Sequence, residues 1–319
     1  MDDVLYNEIP SLDLADFYGV DKIRKASFVA DLGAAYKNIG FVAVRNHFLS
    51  YEMQNNLYTA IQKFFALPDE IKKKYENDSL AGQRGYTGKG KEHAKGRNTG
   101  DLKEFYHIGQ PAFNQGEYPD NIWPEEIPEF KSSAIEVYQA LEKTGLYMLK
   151  AIALILNLPE NYFDDKVVNG NSILRPIHYY PIEDFNSVPD DAVRAAEHGD
   201  INLITLLMGA SADGLQVHRA DGKWIPITAL PDQLVVNVGD MLERLTNGKL
   251  KSTIHRVVNP PKEMMNTPRY SIPFFMHPRF EMSLAALPQC VNSANPKMWE
   301  DTTAGEFLDQ RLREIGLKK

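Results

Sequence analysis

The sequence predicts an antiparallel β-sandwich or jelly roll with helices ahead of it and one helix behind it, a mixed and mainly β fold in its second half. Three observations carry this expectation. Between Ser172 and Phe275, short strand-like runs follow one another with turn residues and no helix between them, which favours antiparallel pairing over a parallel sheet. Before them, helical periodicity dominates from Asp21 to Leu156. After them, Ala304 to Ile315 has the pattern of one closing helix.

Taken in order, Asp21 to Lys37 places Ile23, Phe28, Ala30 and Leu32 at helical spacing, and Gly40 separates it from Phe41-Val42-Ala43-Val44, a buried-strand pattern. A second helix spans Tyr51 to Phe65, and Pro68-Asp69-Glu70 opens a short one to about Tyr75. Ser79 to Gly100 holds six glycines interleaved with Arg84, Lys89, Lys91, Lys95 and Arg97 and reads as a loop. Ser132 to Leu156 is the strongest helix, with Leu141, Met148 and Ile155 at seven-residue steps, and its apolar face is suited to backing a sheet. The strand-like runs are Ile201 to Leu207, Gly214 to Val217, Leu234 to Val238, Ser252 to Val258 and Tyr270 to Phe275. Asn247-Gly248 signals a type I′ hairpin.

The 319 residues are 43% hydrophobic and 24% charged, the signature of a globular chain with a sizeable core. We expect residues 1–165 to form a helical and mixed region packed on a core of residues 166–319, as one integrated domain. A net charge of −8 and a pI near 5.6 have the wrong sign for a polyphosphate partner, so nucleic acid and anionic membrane surfaces are not expected. The single Cys290 excludes an internal disulfide and a multi-cysteine metal cage. Met1-Asp2-Asp3-Val4 lacks the start of a secretory signal, and the longest apolar run, Ala151 to Leu156, is too short to span a bilayer, so a cytoplasmic location is expected.

Gly85, Gly90 and Lys91 imitate a phosphate-binding loop, but Glu92 stands where Ser or Thr would hold magnesium, and no apolar strand leads in. His198-Gly199-Asp200 is more informative. Residues i and i+2 of a strand share a face, so both side chains can address one metal ion, and His255 lies in a later strand-like run. Two imidazoles and one carboxylate form the facial triad of non-haem Fe(II) oxygenases, with the opposite positions open. By itself the triplet is weak, because this composition yields roughly one His-x-acid by chance. Arg269-Tyr270-Ser271 strengthens it: Arg269, Ser271 and Phe275 share one strand face, and an Arg fork beside a hydroxyl suits a carboxylate.

His198-Gly199-Asp200, Gly214-Leu215-Gln216-Val217, Val236-Asn237-Val238-Gly239-Asp240, Leu245-Thr246-Asn247-Gly248, Ser252-Thr253-Ile254-His255-Arg256-Val257 and Arg269-Tyr270-Ser271 stand in the order seen in the isopenicillin N synthase-like iron and 2-oxoglutarate dioxygenases, which the chain resembles. Ile9-Pro10-Ser11-Leu12-Asp13-Leu14, Gly40-Phe41, Arg84-Gly85-Tyr86 and Asp101-Leu102-Lys103-Glu104 extend the resemblance nearly end to end. It implies a double-stranded β-helix, or jelly-roll, core. It also implies that His198, Asp200 and His255 ligate Fe(II), and that Arg269 and Ser271 bind the distal carboxylate of 2-oxoglutarate. Tyr180, in His178-Tyr179-Tyr180-Pro181, matches a tyrosine that reaches the same carboxylate.

Two positions depart from the pattern: Gly199 replaces a common Thr, and His178 replaces a common Asn, leaving His178 either a co-substrate contact or a structural residue. The resemblance places Arg84-Gly85-Tyr86 near a substrate mouth; the six glycines of residues 79–100 lead us to expect a mobile lid there, and Phe275, on the parity of Arg269, is expected to form an apolar wall. His47, His93, His107, His218 and His277 carry no partner pattern and are read as structural or surface residues. The implied activity is oxygenation of a small-molecule substrate with Fe(II), O2 and 2-oxoglutarate, releasing succinate and CO2, with hydroxylation as the default and desaturation or ring closure as variants. An oxidase that dispenses with 2-oxoglutarate and a non-catalytic jelly-roll binder remain as alternatives.

Overall fold

The computed structural model describes residues 4–93, 100–111, 118–182, 193–209, 214–227, 230 and 232–318. The chain runs β1 (Ser11–Asp13), α1 (Leu14–Tyr18), α2 (Lys22–Asn38), β2 (Phe41–Arg45), α3 (Tyr51–Phe65), α4 (Asp69–Lys72), β3 (Gly85–Thr87), β4 (Glu104–His107) and α5 (Pro128–Ile155). It continues with α6 (Asp164–Val167), β5 (Ile173–Leu174), β6 (Ile177–Tyr179), β7 (Ala195–His198), β8 (Ile204–Met208), β9 (Leu215–His218), β10 (Trp224–Pro226) and β11 (Leu234–Val238). Last come α7 (Asp240–Leu245), β12 (His255–Val257), β13 (Arg269–Met276) and α8 (Ala304–Glu314).

The strands form two sheets, a large one in the order β1-β2-β11-β8-β13-β6-β4-β3, with β5 also on β13, and a small one in the order β10-β9-β12-β7. Among the described strands only β1 and β2 pair in parallel, so the sequence's expectation of an antiparallel jelly roll with flanking helices is met. An interior strand of the large sheet is β11, between β2 and β8, whose Leu-Val-Val-Asn-Val run is buried throughout; its apolar side chains fill both faces, and Asn237 is the exception that serves the site described below. Helix α5 backs this sheet. Gly145 makes the close approach feasible, since a Cβ there would lie 2.5 Å from the sulfur of Met276.

Helix starts follow local chemistry: Asp21 accepts from the amides of Ile23 and Arg24, Ser50 from Met53, and Thr303 and Glu306 close a reciprocal capping box. Each such cap contributes about 1 kcal/mol. One contiguous hydrophobic cluster joins Leu14, Leu32 and Phe64 from the N-terminal helices to Leu206 and Phe274 of the large sheet and Leu308 of α8.

Three local expectations are corrected. Asn247-Gly248 forms no hairpin; it ends α7, with the Gly248 amide donating to the Glu243 carbonyl. Both residues take positive φ (49° and 76°), as the dipeptide favours, but Met241, Leu242 and Leu245 bury a helical face ahead of it, so a helix end uses the conformation. The stretch from Ser79 to Gly100 is not loop throughout, because Gly85–Thr87 is a fully buried strand paired with β4; residues 94–99, including Lys95 and Arg97, lie outside the described residues. The run from Ile201 becomes strand only at Ile204.

Candidate metal centre

His198 is the last residue of β7, and His255 opens β12 directly opposite it in the antiparallel register. Asp200 follows just beyond the end of β7. Sharing one regular strand is therefore not what brings Asp200 to His198; the turn after β7 does so. One ligand atom from each of the three lies within 4.8 Å of the others, and His255 Nε2 is 3.7 Å from Asp200 Oδ1.

The groups behind the triad fix its chemistry. His198 Nδ1 lies 2.6 Å from the Ala196 carbonyl and His255 Nδ1 3.2 Å from that of Thr253. A carbonyl only accepts, so each Nδ1 carries the proton and each Nε2 keeps its lone pair for a metal. Asp200 Oδ2 accepts from Thr205 Oγ1 at 2.6 Å and Asn237 Nδ2 at 2.7 Å, leaving Oδ1 toward the imidazoles. Burial pushes the Asp200 carboxyl up, but His255, His198 and those two hydrogen bonds outweigh it and hold it below its ordinary value. Burial and then repulsion from His255 push His198 down to about 4, so the imidazole is neutral near pH 7, as a ligand must be. The Gly199 position does face away from the ligands: a Cβ there would meet Asp240 Oδ1 at 2.9 Å and Ser252 Oγ at 3.1 Å.

The triad opens on a cavity of about 470 Å³ between the two sheets. Along β13, Ser271, Pro273 and Phe275 line it, followed by His277. Arg269 occupies the same face one step earlier, 1% exposed, with its guanidinium 4.8 Å from the ring centre of Tyr179, its partner in the β6–β13 register.

The tyrosine beside Arg269 is thus Tyr179, not the expected Tyr180. Alternation along β6 sends Ile177 and Tyr179 to the cavity, whereas Tyr180 packs by Leu102, Ile182 and Met265, with Lys89 Nζ 4.9 Å from its ring centre. His178 faces the other side. Its Nδ1 is 2.8 Å from Glu104 Oε1, and its ring stacks on Tyr270 at 4.8 Å.

Tyr86 belongs to the same buried cluster, donating to Glu104 Oε2 at 2.5 Å, while Lys72 Nζ reaches that oxygen at 2.8 Å. Arg84 is also 1% exposed and donates to the Gln83 carbonyl at 2.6 Å and to Asn171 Oδ1 at 3.2 Å. Neither Arg84 nor Tyr86 lines the cavity, so the expected substrate mouth does not include them.

Several lining residues escaped the sequence reading. Arg175, Lys103, Asp101 and Glu92 line the cavity together with His107 and His277, two histidines read as structural or surface, and α8 adds Leu308, Arg311 and Leu312. Period-two alternation through Ile173, Arg175, Ile177 and Tyr179 was the available signal for Arg175, broken into two short strands by Pro176. Nothing local marked Glu92, which reaches the wall from a glycine-rich loop.

A jelly roll carrying two imidazoles and a carboxylate at the mouth of a buried cavity is a non-haem iron oxygenase by class. Residues 9–126 match the family described as the N-terminal region of non-haem dioxygenases in morphine synthesis, and residues 171–278 match the 2OG-Fe(II) oxygenase superfamily. Among relatives, the 2-oxoglutarate-Fe(II) type oxidoreductase hxnY of Emericella nidulans is 30% identical over 97% of this chain and 92% of its own length. Kihadalactone A synthase LFS of Citrus sinensis is 33% identical over 97% and 94%.

Among crystal structures, a 2OG-Fe(II) oxygenase family protein from Caulobacter crescentus is 42% identical with a TM-score of 0.84, covering 96% of this chain and 98% of that one. A full-length Neurospora crassa protein in complex with alpha-KG is 31% identical with a TM-score of 0.85, covering 98% and 99%. The chain belongs to the 2OG-Fe(II) oxygenase superfamily, in its isopenicillin N synthase-like family, and is a non-haem iron, 2-oxoglutarate-dependent dioxygenase with His198, Asp200 and His255 as its iron triad. No helix among the described residues is long and apolar enough to cross a membrane.

Proposed function

We propose that this enzyme hydroxylates a C–H bond of a small organic molecule while oxidising 2-oxoglutarate to succinate and CO2. One atom of O2 enters succinate and the other the product alcohol; desaturation or ring closure would follow from a different substrate pose. The donor set fits Fe(II): two imidazoles whose Nδ1 atoms face backbone carbonyls, and a carboxylate with one oxygen free. Bound there, the iron would supply the oxygen chemistry that no side chain can provide.

The observation that carries the co-substrate assignment is the single face of β13, where Arg269, Ser271 and Phe275 follow one another toward the triad. Arg269 would grip the distal carboxylate of 2-oxoglutarate through its fork, Ser271 would add a hydroxyl, and Tyr179 would fix the guanidinium plane. Phe275 and Pro273 would present an apolar wall to the prime substrate and keep water from the reacting carbon. A small substrate is supported by the cavity volume and by the Neurospora crassa protein, 31% identical, having been crystallised with alpha-KG and thymine.

Anaerobic reconstitution with Fe(II), with and without 2-oxoglutarate, followed by an aerobic screen for substrate-dependent succinate release, tests the proposal. One equivalent of iron should bind and be lost in His255→Ala, and one class of small molecule should raise succinate release. Turnover that ignores 2-oxoglutarate would overturn it.

A further inference from the structure

One wall of the cavity is charged yet self-balanced. Glu92 Oε1 and Oε2 each accept from Arg175 at 3.1 Å, Oε1 also lies 2.8 Å from Lys103 Nζ, and Lys103 is 2.8 Å from Asp101 Oδ2. Arg175 Nε donates to His107 Nε2, so His107 carries its proton on Nδ1, facing the Gly82 carbonyl. Burial, reinforced by the Arg175 charge, pushes His107 well below its ordinary value and keeps it neutral. The remaining cation on the lining, Arg311 of α8, is 2.9 Å from Glu314 and 3.5 Å from Asp240. Among the described residues, every Lys and Arg lining the cavity therefore already faces a carboxylate.

We infer that the prime substrate is an uncharged polar molecule, and that Glu92 sets this selectivity by neutralising Arg175 and Lys103. The inference rests on the oxygenase reading above and adds the substrate's charge class. Glu92, Lys103 and Asp101 are each at most 7% exposed, where charges are weakly screened. An anionic substrate on this wall would have to displace a two-pronged Glu92–Arg175 pair or sit beside its carboxylate. A cationic one would meet Arg175 and Lys103. A neutral ligand with neighbouring donors and acceptors avoids both costs and still finds Lys103 N–H groups and carboxylate oxygens as partners.

Benzoate, benzamide and benzamidine share a shape and carry charges of −1, 0 and +1, so titrating each calorimetrically isolates charge. The titrations use the full chain loaded anaerobically with Fe(II) and saturating 2-oxoglutarate, and are repeated on the metal-free protein. The wild type should bind benzamide at least tenfold more tightly than either ion. Glu92→Gln, which leaves two cations sharing one carboxylate, should gain at least tenfold for benzoate. Arg175→Gln, with the opposite imbalance, should gain at least tenfold for benzamidine.

A wild type that binds an ion as well as the amide overturns the inference, and so does a folded variant that gains nothing for its matching ion. The two variants err in opposite directions, so either one that folds is decisive. A chain that takes up neither Fe(II) nor 2-oxoglutarate would instead defeat the oxygenase reading, with the charge ranking still readable from the metal-free titrations.

Discussion

Asn237 Nδ2 donates to Asp200 Oδ2 at 2.7 Å, tying the buried interior strand β11 of the large sheet to the carboxylate that faces the metal site. The bond orients Asp200 and leaves its other oxygen for iron. Asn237→Leu should weaken Fe(II) binding by about 10–100-fold, the usual effect of losing an outer partner of a metal ligand. Competition against a chelator under argon measures it; unchanged affinity would mean that Thr205 alone suffices.

Arg269→Leu should cost 2-oxoglutarate about 2 kcal/mol or more, roughly a 30-fold loss of affinity, because a buried charge-assisted pair disappears. Anaerobic titration of the iron-loaded protein reads this directly. Iron affinity should stay constant, since Arg269 is not a ligand.

Tyr179 and Tyr180 offer a paired test of the strand alternation. Tyr179→Leu removes the ring beneath Arg269 and should weaken 2-oxoglutarate by about 0.5–2 kcal/mol, the range of a partly desolvated cation–π contact. Tyr180→Leu should leave that affinity alone. The reverse ranking would return the role to Tyr180.

His277 predicts part of the acid limb of stability. Burial pushes its imidazole down to about 3 in the folded chain, against an ordinary value of 6.5, and among the described residues its Nδ1 has no hydrogen-bond partner. Between those values the unfolded chain binds a proton that the folded one refuses, so stability is complete above about pH 6.5 and falls as pH drops toward 3. In the metal-free protein, His277→Leu should flatten this fall by up to about 1.4 kcal/mol per pH unit. Denaturant melts at pH 7, 6 and 5 measure it, and parallel curves for wild type and variant would reject it.

The sequence by itself determined the helix from Tyr51 to Phe65 to the residue and the antiparallel class, because periodicity is a local property that packing here respects, whereas the metal ligands were legible only through the resemblance of the whole run of motifs to one family, since a His-x-acid triplet alone arises by chance. Tertiary structure decided which neighbour of a motif faces the cavity. Tyr179 and Tyr180 are equivalent on paper, and only the pairing of β6 with β13 chooses between them. Arg84 and Tyr86 look like exposed loop residues until β3 joins β4 and buries them. Glu92 and Arg175, 83 residues apart, meet because separate segments close on one cavity, and no one-dimensional pattern encodes a pair whose attraction exists only once the chain has removed both from water.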